Sequence, residues 1–459
     1  MLGVICTLIA VVAIAYFVIK NYYPPVMLLL IGLVMLVIGA MMGNPPVSPK
    51  TTTNFVGFDL AQALTDLMKS RLGGLGLNIM AIAGFSYYMN KLGASKALVK
   101  LCIKPLAAIR SPYLLLGVTY LVGQTMALFI NSAVGLGLLL MASVYPLLVS
   151  LGVRRAAAAA VIGSTCCLDL GPSSSNAMRA ADLLQTDVVT YFVTGQIPVA
   201  ICVMLAVAIG HFLVQRWFDR REAARGIADT PSGETSGKTE DAFAGAGPAH
   251  YAILPVLPLF LLIVFSPMVY AGVKLSLVTA IVVSILIAFV VDLCTRRTFK
   301  QCCADMKSFF EGMGQVFIST VSLIVCAELF AVGLTKVGGI STLISLAASQ
   351  EGMGLALMLF VMMAIMVVAT IVTGSGNSAF FAFSPLLPEA AASVGYNTMA
   401  LVIPVQLAAS LARPMSPISG VIIAVSGISG LTPIELIRRT IPVMILGMVV
   451  NVAASLAFL

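Results

Sequence analysis

The stretch Val372-Thr373-Gly374-Ser375-Gly376-Asn377-Ser378 interrupts an apolar run that covers residues 353–393. A second apolar run, residues 112–150, is interrupted in the same way by Phe129-Ile130-Asn131-Ser132-Ala133-Val134-Gly135. Each run is long enough for two helices, and its polar cluster lies near the middle, where the chain would turn. We therefore expect each run to be either two complete membrane spans or one re-entrant hairpin whose tip lies inside the membrane.

The composition explains why these runs are interpreted as membrane segments. Of the 459 residues, 60% are hydrophobic and only 10% are charged, whereas a soluble domain is about 25% charged. Further apolar runs have roughly the length that crosses ~30 Å of hydrocarbon. These ten predicted spans are residues 1–19, 25–43, 75–90, 154–182, 189–214, 251–271, 275–294, 313–335, 397–430 and 437–458. The composition excludes a soluble enzyme, a disordered protein and a collagen-like fibre, and it predicts an all-α polytopic membrane protein.

The charges that flank the runs predict their orientation. Both flanks of the run 112–150 are rich in Lys and Arg, as cytoplasmic loops are, so a hairpin would enter and leave on the cytoplasmic side. The run 353–393 is flanked by Glu351 and Glu389, as expected for the outer face. The remaining loops then place a polar linker, residues 216–250, in the cytoplasm and both termini outside. Two full spans in each run, instead of one hairpin, would place the flanks and loops on the same sides of the membrane. We attribute the net charge of +8 to this topology and expect no nucleic-acid partner.

The linker separates two halves of similar length, residues 1–215 and 251–459. A shift of about 243 to 245 residues lays Asn131-Ser132 on Gly374-Ser375 and Pro172-Ser173 on Met415-Ser416. Each half then contains five spans and one hairpin. Because five is odd, the second half would be inverted relative to the first. Inverted repeats with broken helices at matching positions are typical of secondary transporters.

Polar clusters also break two of the predicted spans. One runs from Asp169 to Asn176 within 154–182, and the other runs from Arg413 to Gly420 within 397–430. Both contain Pro and Gly, which interrupt a helix or tolerate its unwinding. Since non-helical backbone persists in a bilayer only when it is buried in protein or lines a cavity, we expect the two tips and the two breaks to meet in one pocket.

The chemistry of these clusters indicates an anion site. Unwound half-helices present N-terminal N–H groups with partial positive charge, and the Arg413 guanidinium is suited to a carboxylate. Carbonyl groups in the same clusters could also hold Na⁺. Asp169 and Glu328 are ionisable groups within apolar runs, so each is a candidate for a coupling proton. Each could equally be a structural partner of a basic residue, with Arg179, Arg413 and Lys336 as the candidates.

Several strings resemble signature stretches of the DcuC family of anaerobic C4-dicarboxylate carriers. They are Arg110 to Leu115, Ser132 to Gly137, Val372 to Asn377, Phe381 to Phe383 and Ser416 to Val421. The resemblance implies a secondary carrier of succinate, fumarate or malate in the bacterial inner membrane, typically exporting succinate. It also implies the ion transporter superfamily, with dimeric elevators whose mobile domain holds substrate and ions. The implied substrate residues are Asn131, Ser132, Ser173, Ser174, Ser175, Asn176, Thr373, Ser375, Asn377, Arg413, Ser416 and Ser419.

The first break departs from the family pattern, in which we expect a more apolar break and an acidic residue at the position of Asn176. An extra Asp169 and a neutral Asn176 leave a carrier of a different small carboxylate as an alternative. An anion channel is a further alternative. An intramembrane enzyme is disfavoured because the sequence has no HExxH motif and only two histidines. We expect no metal site and no cofactor other than a coupling H⁺ or Na⁺.

Overall fold

The structure is a computed structural model. It describes residues 2–20, 22–103, 106, 109, 111–226, 245–266, 269–270, 272–338, 354–393 and 395–458. All regular secondary structure in these residues is helical. Residues 227–244, the middle of the predicted linker, lie outside the described residues.

Helices account for both halves of the chain. The first half contains α1 (Leu2–Ile19), α2 (Pro24–Met41), α3 (Val56–Arg71), α4 (Leu77–Lys91), α5 (Ala94–Ile103), α6 (Pro112–Ala127), α7 (Ala133–Ser150), α8 (Arg155–Ser164), α9 (Ser175–Leu183), α10 (Val188–Thr190) and α11 (Ile197–Ala224). The second half contains α12 (Leu257–Val264), α13 (Leu277–Arg296), α14 (Phe299–Val316), α15 (Ser322–Val337), α16 (Gly354–Thr373), α17 (Gly376–Phe383), α18 (Leu387–Ser393), α19 (Thr398–Leu411), α20 (Gly420–Ser429) and α21 (Pro433–Phe458).

Nine helical stretches in the described part of the chain are long and apolar enough to cross a membrane. They are Pro24–Met41, Val56–Lys91, Ala133–Ser150, Val188–Ala224, Leu277–Arg296, Phe299–Val337, Ala356–Thr373, Thr398–Ser429 and Pro433–Phe458. Two predicted spans, 154–182 and 251–271, contain shorter apolar helices instead, and the span predicted at 1–19 corresponds to α1 (Leu2–Ile19). The prediction of an all-helical, polytopic membrane protein is confirmed.

Two predicted spans begin earlier in the structure than in the sequence analysis. The span predicted at 75–90 begins at Val56, and the span predicted at 313–335 begins at Phe299. In each, two α-helices are joined by a π-helical segment, Leu72–Gly76 or Phe317–Val321. Polar residues in the first helix of each pair lower its hydropathy, so the sequence pattern missed it. The two π-helical segments are themselves related by a shift of 245 residues.

The predicted linker starts later than expected, because α11 continues to Ala224 and residues 216–224 are therefore helical. Arg439 on α21 explains this extension. Its Nη1 lies 2.8 Å from Asp219 Oδ1 and its Nη2 lies 2.6 Å from Glu222 Oε2. These ion pairs attach the charged end of α11 to the neighbouring helix.

The helices form two groups, which we name the hairpin bundle and the flanking bundle. The hairpin bundle comprises α6–α9, α11 and α16–α21, and it contains both predicted hairpins and both broken helices. The flanking bundle comprises α2–α5 and α13–α15, in which α2 packs on α15 and α4 packs on α14. The α2–α15 contact is close, since a Cβ at Gly32 would lie 2.9 Å from Phe330 Cα.

The predicted hairpins and breaks have clear counterparts. Helices α6 and α7 form a helical hairpin over 112–150, and α16 and α17 form the start of one over 353–393. The second arm of the latter changes to a 3₁₀ turn at Ser384–Leu386 before α18. The predicted breaks fall between α8 and α9 and between α19 and α20.

Candidate functional site

A cavity of about 300 Å³ lies between the hairpin bundle and the flanking bundle. The hairpin bundle supplies its polar wall, from both tips and both breaks. The flanking bundle supplies a mainly apolar wall made of α4, the end of α14 and the π-helical segment after it. The residues of that second wall are Ile79, Ile82, Ala83, Val316 and Thr320.

Each tip is hydrogen-bonded to the break of its own half. Ser173 Oγ donates to the Leu128 carbonyl at 2.6 Å, and Ser416 Oγ donates to the Ile371 carbonyl at 2.7 Å. Both donors and both acceptors are related by a shift of 243 residues, which lies within the shift that the sequence repeat predicts. Each hairpin is therefore joined to its broken helix by an equivalent bond, and the four polar clusters meet at the cavity.

Four helices begin at the cavity, namely α7, α9, α17 and α20. Each has a serine at its N-cap: Ser132, Ser174, Ser375 and Ser419. In the first three caps the hydroxyl accepts a hydrogen bond from the backbone N–H three residues later, at 3.0–3.3 Å. Because a helix N-terminus carries about half a positive charge, four of them around one cavity favour an anion.

Asp169 and Arg413 form an ion pair in the wall of the cavity, with Arg413 Nη2 donating to Asp169 Oδ2. The same oxygen accepts from Asn176 Nδ2 at 2.8 Å and from Ser410 Oγ at 2.9 Å. Arg413 Nη1 donates to the Cys166 carbonyl at 3.3 Å. The two charged side chains are 17% and 11% exposed, so they remain accessible from the cavity.

Three buried glutamines hold the unwound backbone of the first break, and the sequence analysis did not single them out. The Gln124 side chain makes two hydrogen bonds to the Leu168 backbone: it accepts from the N–H at 3.1 Å and donates to the carbonyl at 2.8 Å. Gln196 and Gln406 donate to the Asp169 carbonyl at 3.2 and 2.8 Å. Unwound backbone inside a membrane needs such partners. In the sequence, the feature that could have identified these glutamines is a single amide residue within an apolar helical stretch.

Most of the predicted substrate residues line the cavity. They are Asn131, Ser173, Ser174, Ser175, Ser375, Asn377, Arg413 and Ser419, together with the coupling candidate Asp169. Four predicted residues lie behind this surface: Ser132, Asn176, Thr373 and Ser416. Thr373 Oγ1 accepts from the Ser375 N–H at 3.2 Å, and Ser132 and Ser416 make the bonds described above. These four therefore shape the tips and breaks rather than form the cavity wall.

Glu328, the other coupling candidate, lies away from the cavity. Its carboxylate is 2.5 Å from Arg71 Nε and 2.6 Å from Arg179 Nη1. Asp182 completes the cluster, with distances of 3.1 Å to Arg71 and 2.9 Å to Arg179. We call Arg71, Arg179, Asp182 and Glu328 the ionic quartet. Of the two roles considered for Glu328, a carrier of a coupling proton or an ion-pair partner of a basic residue, this geometry matches the second, with Arg179 as the partner.

The comparison of sequences identifies the family. The DcuC family model, described as C4-dicarboxylate anaerobic carrier, matches residues 2–458. The chain is 35% identical to the probable anaerobic C4-dicarboxylate transporter DcuC of Vibrio cholerae, over 99% of this chain and 98% of that protein. It is 34% identical to the anaerobic C4-dicarboxylate transporter DcuC of Escherichia coli K12, over 97% of this chain and 95% of that protein.

Two solved structures have a similar fold at low sequence identity. Neisseria gonorrhoeae MtrF, from a class described as antimetabolite efflux pumps, has a TM-score of 0.61 at 14% identity and covers 96% of both chains. The Alcanivorax borkumensis YdaH transporter has a TM-score of 0.59 at 16% identity, over 95% of this chain and 98% of that one. The family is one of transporters rather than enzymes, as the sequence predicted. The chain is a multi-pass membrane protein that belongs to the DcuC family of C4-dicarboxylate transporters.

Proposed function

We propose that this protein is a secondary active transporter that binds succinate, fumarate or malate in the cavity between its two bundles. The observation that carries the proposal is the convergence of four helix N-termini and Arg413 on one cavity of about 300 Å³. Fixed N–H dipoles and a guanidinium suit carboxylates. The volume lies at the small end of the range for ligand pockets, which fits a four-carbon acid.

The repeat gives the proposed site two ends. Helices α7 and α9 come from the first half of the chain, and α17 and α20 come from the second half. Each half thus offers one pair of N-termini, and a ligand with a carboxylate at each end could use both pairs. Neutral donors would complete the site, namely Asn131, Ser173, Ser174, Ser175, Ser375, Asn377 and Ser419. Ser132, Asn176, Thr373 and Ser416 would hold those donors in position.

An elevator movement of the hairpin bundle against the flanking bundle is the proposed mechanism. The polar groups of the cavity belong almost entirely to the hairpin bundle, so the bound substrate could travel with it. The flanking bundle offers a largely apolar surface, with Ile79, Ile82 and Val316 against the cavity. A surface with few polar partners permits sliding without many lost hydrogen bonds. The π-helical segment Phe317–Val321 contributes Thr320 to this surface.

The remaining features of the proposal concern assembly and direction. We propose two inverted repeats, a homodimer, a location in the bacterial inner membrane, a cytoplasmic linker and periplasmic termini. Transport would be succinate efflux or exchange coupled to H⁺ or Na⁺. The repeat-related hydrogen bonds of Ser173 and Ser416 support the repeat, and the family supports the substrates.

Counterflow tests the proposed function. Proteoliposomes are loaded with unlabelled succinate, and the uptake of external labelled succinate is followed with and without Na⁺ and proton gradients. We expect transient accumulation that fumarate and malate compete away. Passive equilibration without accumulation would indicate a channel. An absence of succinate uptake by folded protein, together with counterflow of another carboxylate, would contradict the proposed substrate.

A further inference from the structure

Asp169 binds the Arg413 guanidinium, the group to which a substrate carboxylate would also bind. Both terminal nitrogens of Arg413 are engaged, Nη2 by Asp169 and Nη1 by the Cys166 carbonyl. The guanidinium has further N–H donors, but a substrate carboxylate that binds it would lie beside Asp169 and compete with it for Nη2. Asp169 and Arg413 are the two charged side chains among the described residues that line the cavity. The site for a carboxylate ligand therefore already contains a carboxylate.

We propose that a substrate carboxylate displaces Asp169 from Arg413 and that Asp169 then accepts one proton. This inference rests on the proposed function. The proton comes from water on the side from which the substrate enters, binds to a carboxylate oxygen of Asp169, and returns to water when the substrate leaves. Arg413 changes partner without changing charge. One proton would thus accompany each dicarboxylate dianion.

Electrostatics supports the coupling. An ionised Asp169 that has lost its guanidinium would lie in the same 300 Å³ cavity as a dianion. Like charges at such separations repel strongly where water is partly excluded, and a neighbouring negative charge favours the protonated form of a carboxyl group. Protonation removes the repulsion and leaves the four helix N-termini and Arg413 to balance the dianion. Without substrate, Asp169 is paired with Arg413.

Asn176 is suited to both protonation states of Asp169. This side chain is fully buried, and its Nδ2 donates to Asp169 Oδ2 at 2.8 Å. Its Oδ1 is buried and has no hydrogen-bond donor among the described residues. A buried acceptor without a donor is costly. Rotation of the amide would let Oδ1 accept from the hydroxyl of a protonated Asp169. The unpaired oxygen is therefore explained as the partner of the second state.

Few of the side chains that face Asp169 can change their protonation state. Ser410 and Arg413 reach it from the second broken helix, Asn176 reaches it from α9, and Cys166 precedes it in the first break. Arg413 keeps its charge at all assay pH values. Among the described residues that line the cavity, the thiol of Cys166 is the other titratable group, so it needs its own control.

Proton counting on the purified full-length protein tests the inference. Succinate binding is measured in weakly buffered, Na⁺-free solution with a pH-indicator dye, at pH values where succinate is already a dianion. We expect up to one proton taken up per bound succinate, and a Kd that falls by up to about tenfold per unit decrease in pH. Asp169→Asn should bind succinate without proton uptake, with a Kd that no longer depends on pH. Cys166→Ser should retain proton uptake.

Several outcomes would overturn the inference. Binding by the wild-type protein without proton uptake would do so, as would proton uptake retained in Asp169→Asn or a requirement for Na⁺ with no effect of pH. In these cases succinate still binds, so the proposed function would survive. No succinate binding at any pH, with or without Na⁺, would overturn both proposals.

A second variant keeps the test decisive if Asp169→Asn fails to fold. Asn176→Leu removes both the donor to ionised Asp169 and the acceptor proposed for its protonated form, so the pH range over which succinate binding takes up a proton should become narrower. A purely structural role for Asn176 would change Kd and leave that pH range in place, which would contradict its assigned part. The wild-type proton count needs no variant and decides the main point by itself.

Discussion

Glu328 Oε1 lies 2.6 Å from Arg179 Nη1, and this ion pair joins the flanking bundle to the hairpin bundle. Glu328 is on α15, whereas Arg179 is on the half-helix α9 that begins at the cavity. Arg71 and Asp182 extend the pair into the ionic quartet across the same boundary. An elevator movement of the hairpin bundle would have to separate these charges, so the quartet stabilises the arrangement seen here.

Glu328→Gln should ease the elevator movement, which then has weaker ionic contacts to break, and so raise the maximal rate of counterflow with little effect on the apparent affinity for succinate. The variant leaves Arg179, whose side chain is only 1% exposed, without its closest countercharge. Breaking a buried pair costs about 3–5 kcal/mol, and we expect about 2 kcal/mol or more here because the amide can still accept a hydrogen bond. The measurements are thermal unfolding and the KM and maximal rate of counterflow.

Glu311→Gln is the matched control for this variant, since Glu311 forms an exposed pair with Lys307 at 3.3 Å. Its removal should cost less than about 1 kcal/mol and leave transport unchanged. A changed pH profile in Glu328→Gln, with unaltered stability, would instead assign Glu328 the role of proton carrier.

Arg413→Ala should abolish succinate transport while expression is retained. The guanidinium is the only cationic side chain among the described residues of the cavity wall, and no neighbouring side chain can replace its two-pronged donation. Arg413→Lys keeps the charge and loses the fork, so we expect a KM at least tenfold higher rather than complete loss. Radiolabelled uptake into proteoliposomes measures both variants, and wild-type kinetics in Arg413→Ala would exclude Arg413 from the site.

Ser419→Ala should weaken succinate binding without destabilising the protein. Ser419 Oγ is buried and lacks a hydrogen-bond partner within the described structure, so its removal breaks no internal bond, and the substrate would be its missing partner. Ser276→Ala is the opposite case, because Ser276 caps α13 away from the cavity by accepting from the Thr279 N–H. That variant should lose about 1 kcal/mol of stability and keep its KM. Equal effects of the two variants on KM would contradict a binding role for Ser419.

The sequence predicts the polar tips and the helix breaks because the signal for each of them is local. Gly374 between two helical runs marks a tip, and the Gly171-Pro172 pair marks a break, because both disrupt helices wherever they lie. The internal repeat then related the tips to one another. Those two kinds of pattern indicate the polar tips and the helix ends that lie at the cavity, whereas the re-entrant hairpins and the inverted repeats stay predictions.

Partners that are far apart in the chain could not be predicted in this way. Asp169 had several basic candidates, and only the packing of α8 and α9 against α19 and α20 selects Arg413. Gln196 and Gln406 look like isolated polar residues in apolar helices until the unwound Asp169 carbonyl between them is located. The apolar wall at Ile79 likewise depends on tertiary packing, because its sequence resembles that of any membrane helix.

Gln406→Leu should impair both stability and transport. The substitution removes a donor to the Asp169 carbonyl and an acceptor for Tyr191, whose hydroxyl lies 3.0 Å from Gln406 Oε1. Loss of buried partners costs about 1–3 kcal/mol, and the freed carbonyl would let Asp169 move relative to Arg413. Gln62→Leu is the control, since Gln62 donates to Asp66 within α3, away from the cavity. Transport by Gln406→Leu at the wild-type rate would contradict a positioning role.

Gly376→Ala should inactivate the transporter, because α17 begins in direct contact with the second broken helix. A Cβ at Gly376 would lie 2.6 Å from the Ala409 carbonyl oxygen and 3.5 Å from Arg413 Nη2. The hairpin tip would have to withdraw from the guanidinium, and we expect a loss of about 1–3 kcal/mol from overpacking. Gly314→Ala is the matched control, since no atom of the described residues lies within 4 Å of a Cβ there. Within a helix that change should stabilise the protein by about 0.5–1 kcal/mol. Thermal unfolding and succinate counterflow compare the two alanines, and normal counterflow in Gly376→Ala would show that the tip does not need to lie this close to Arg413.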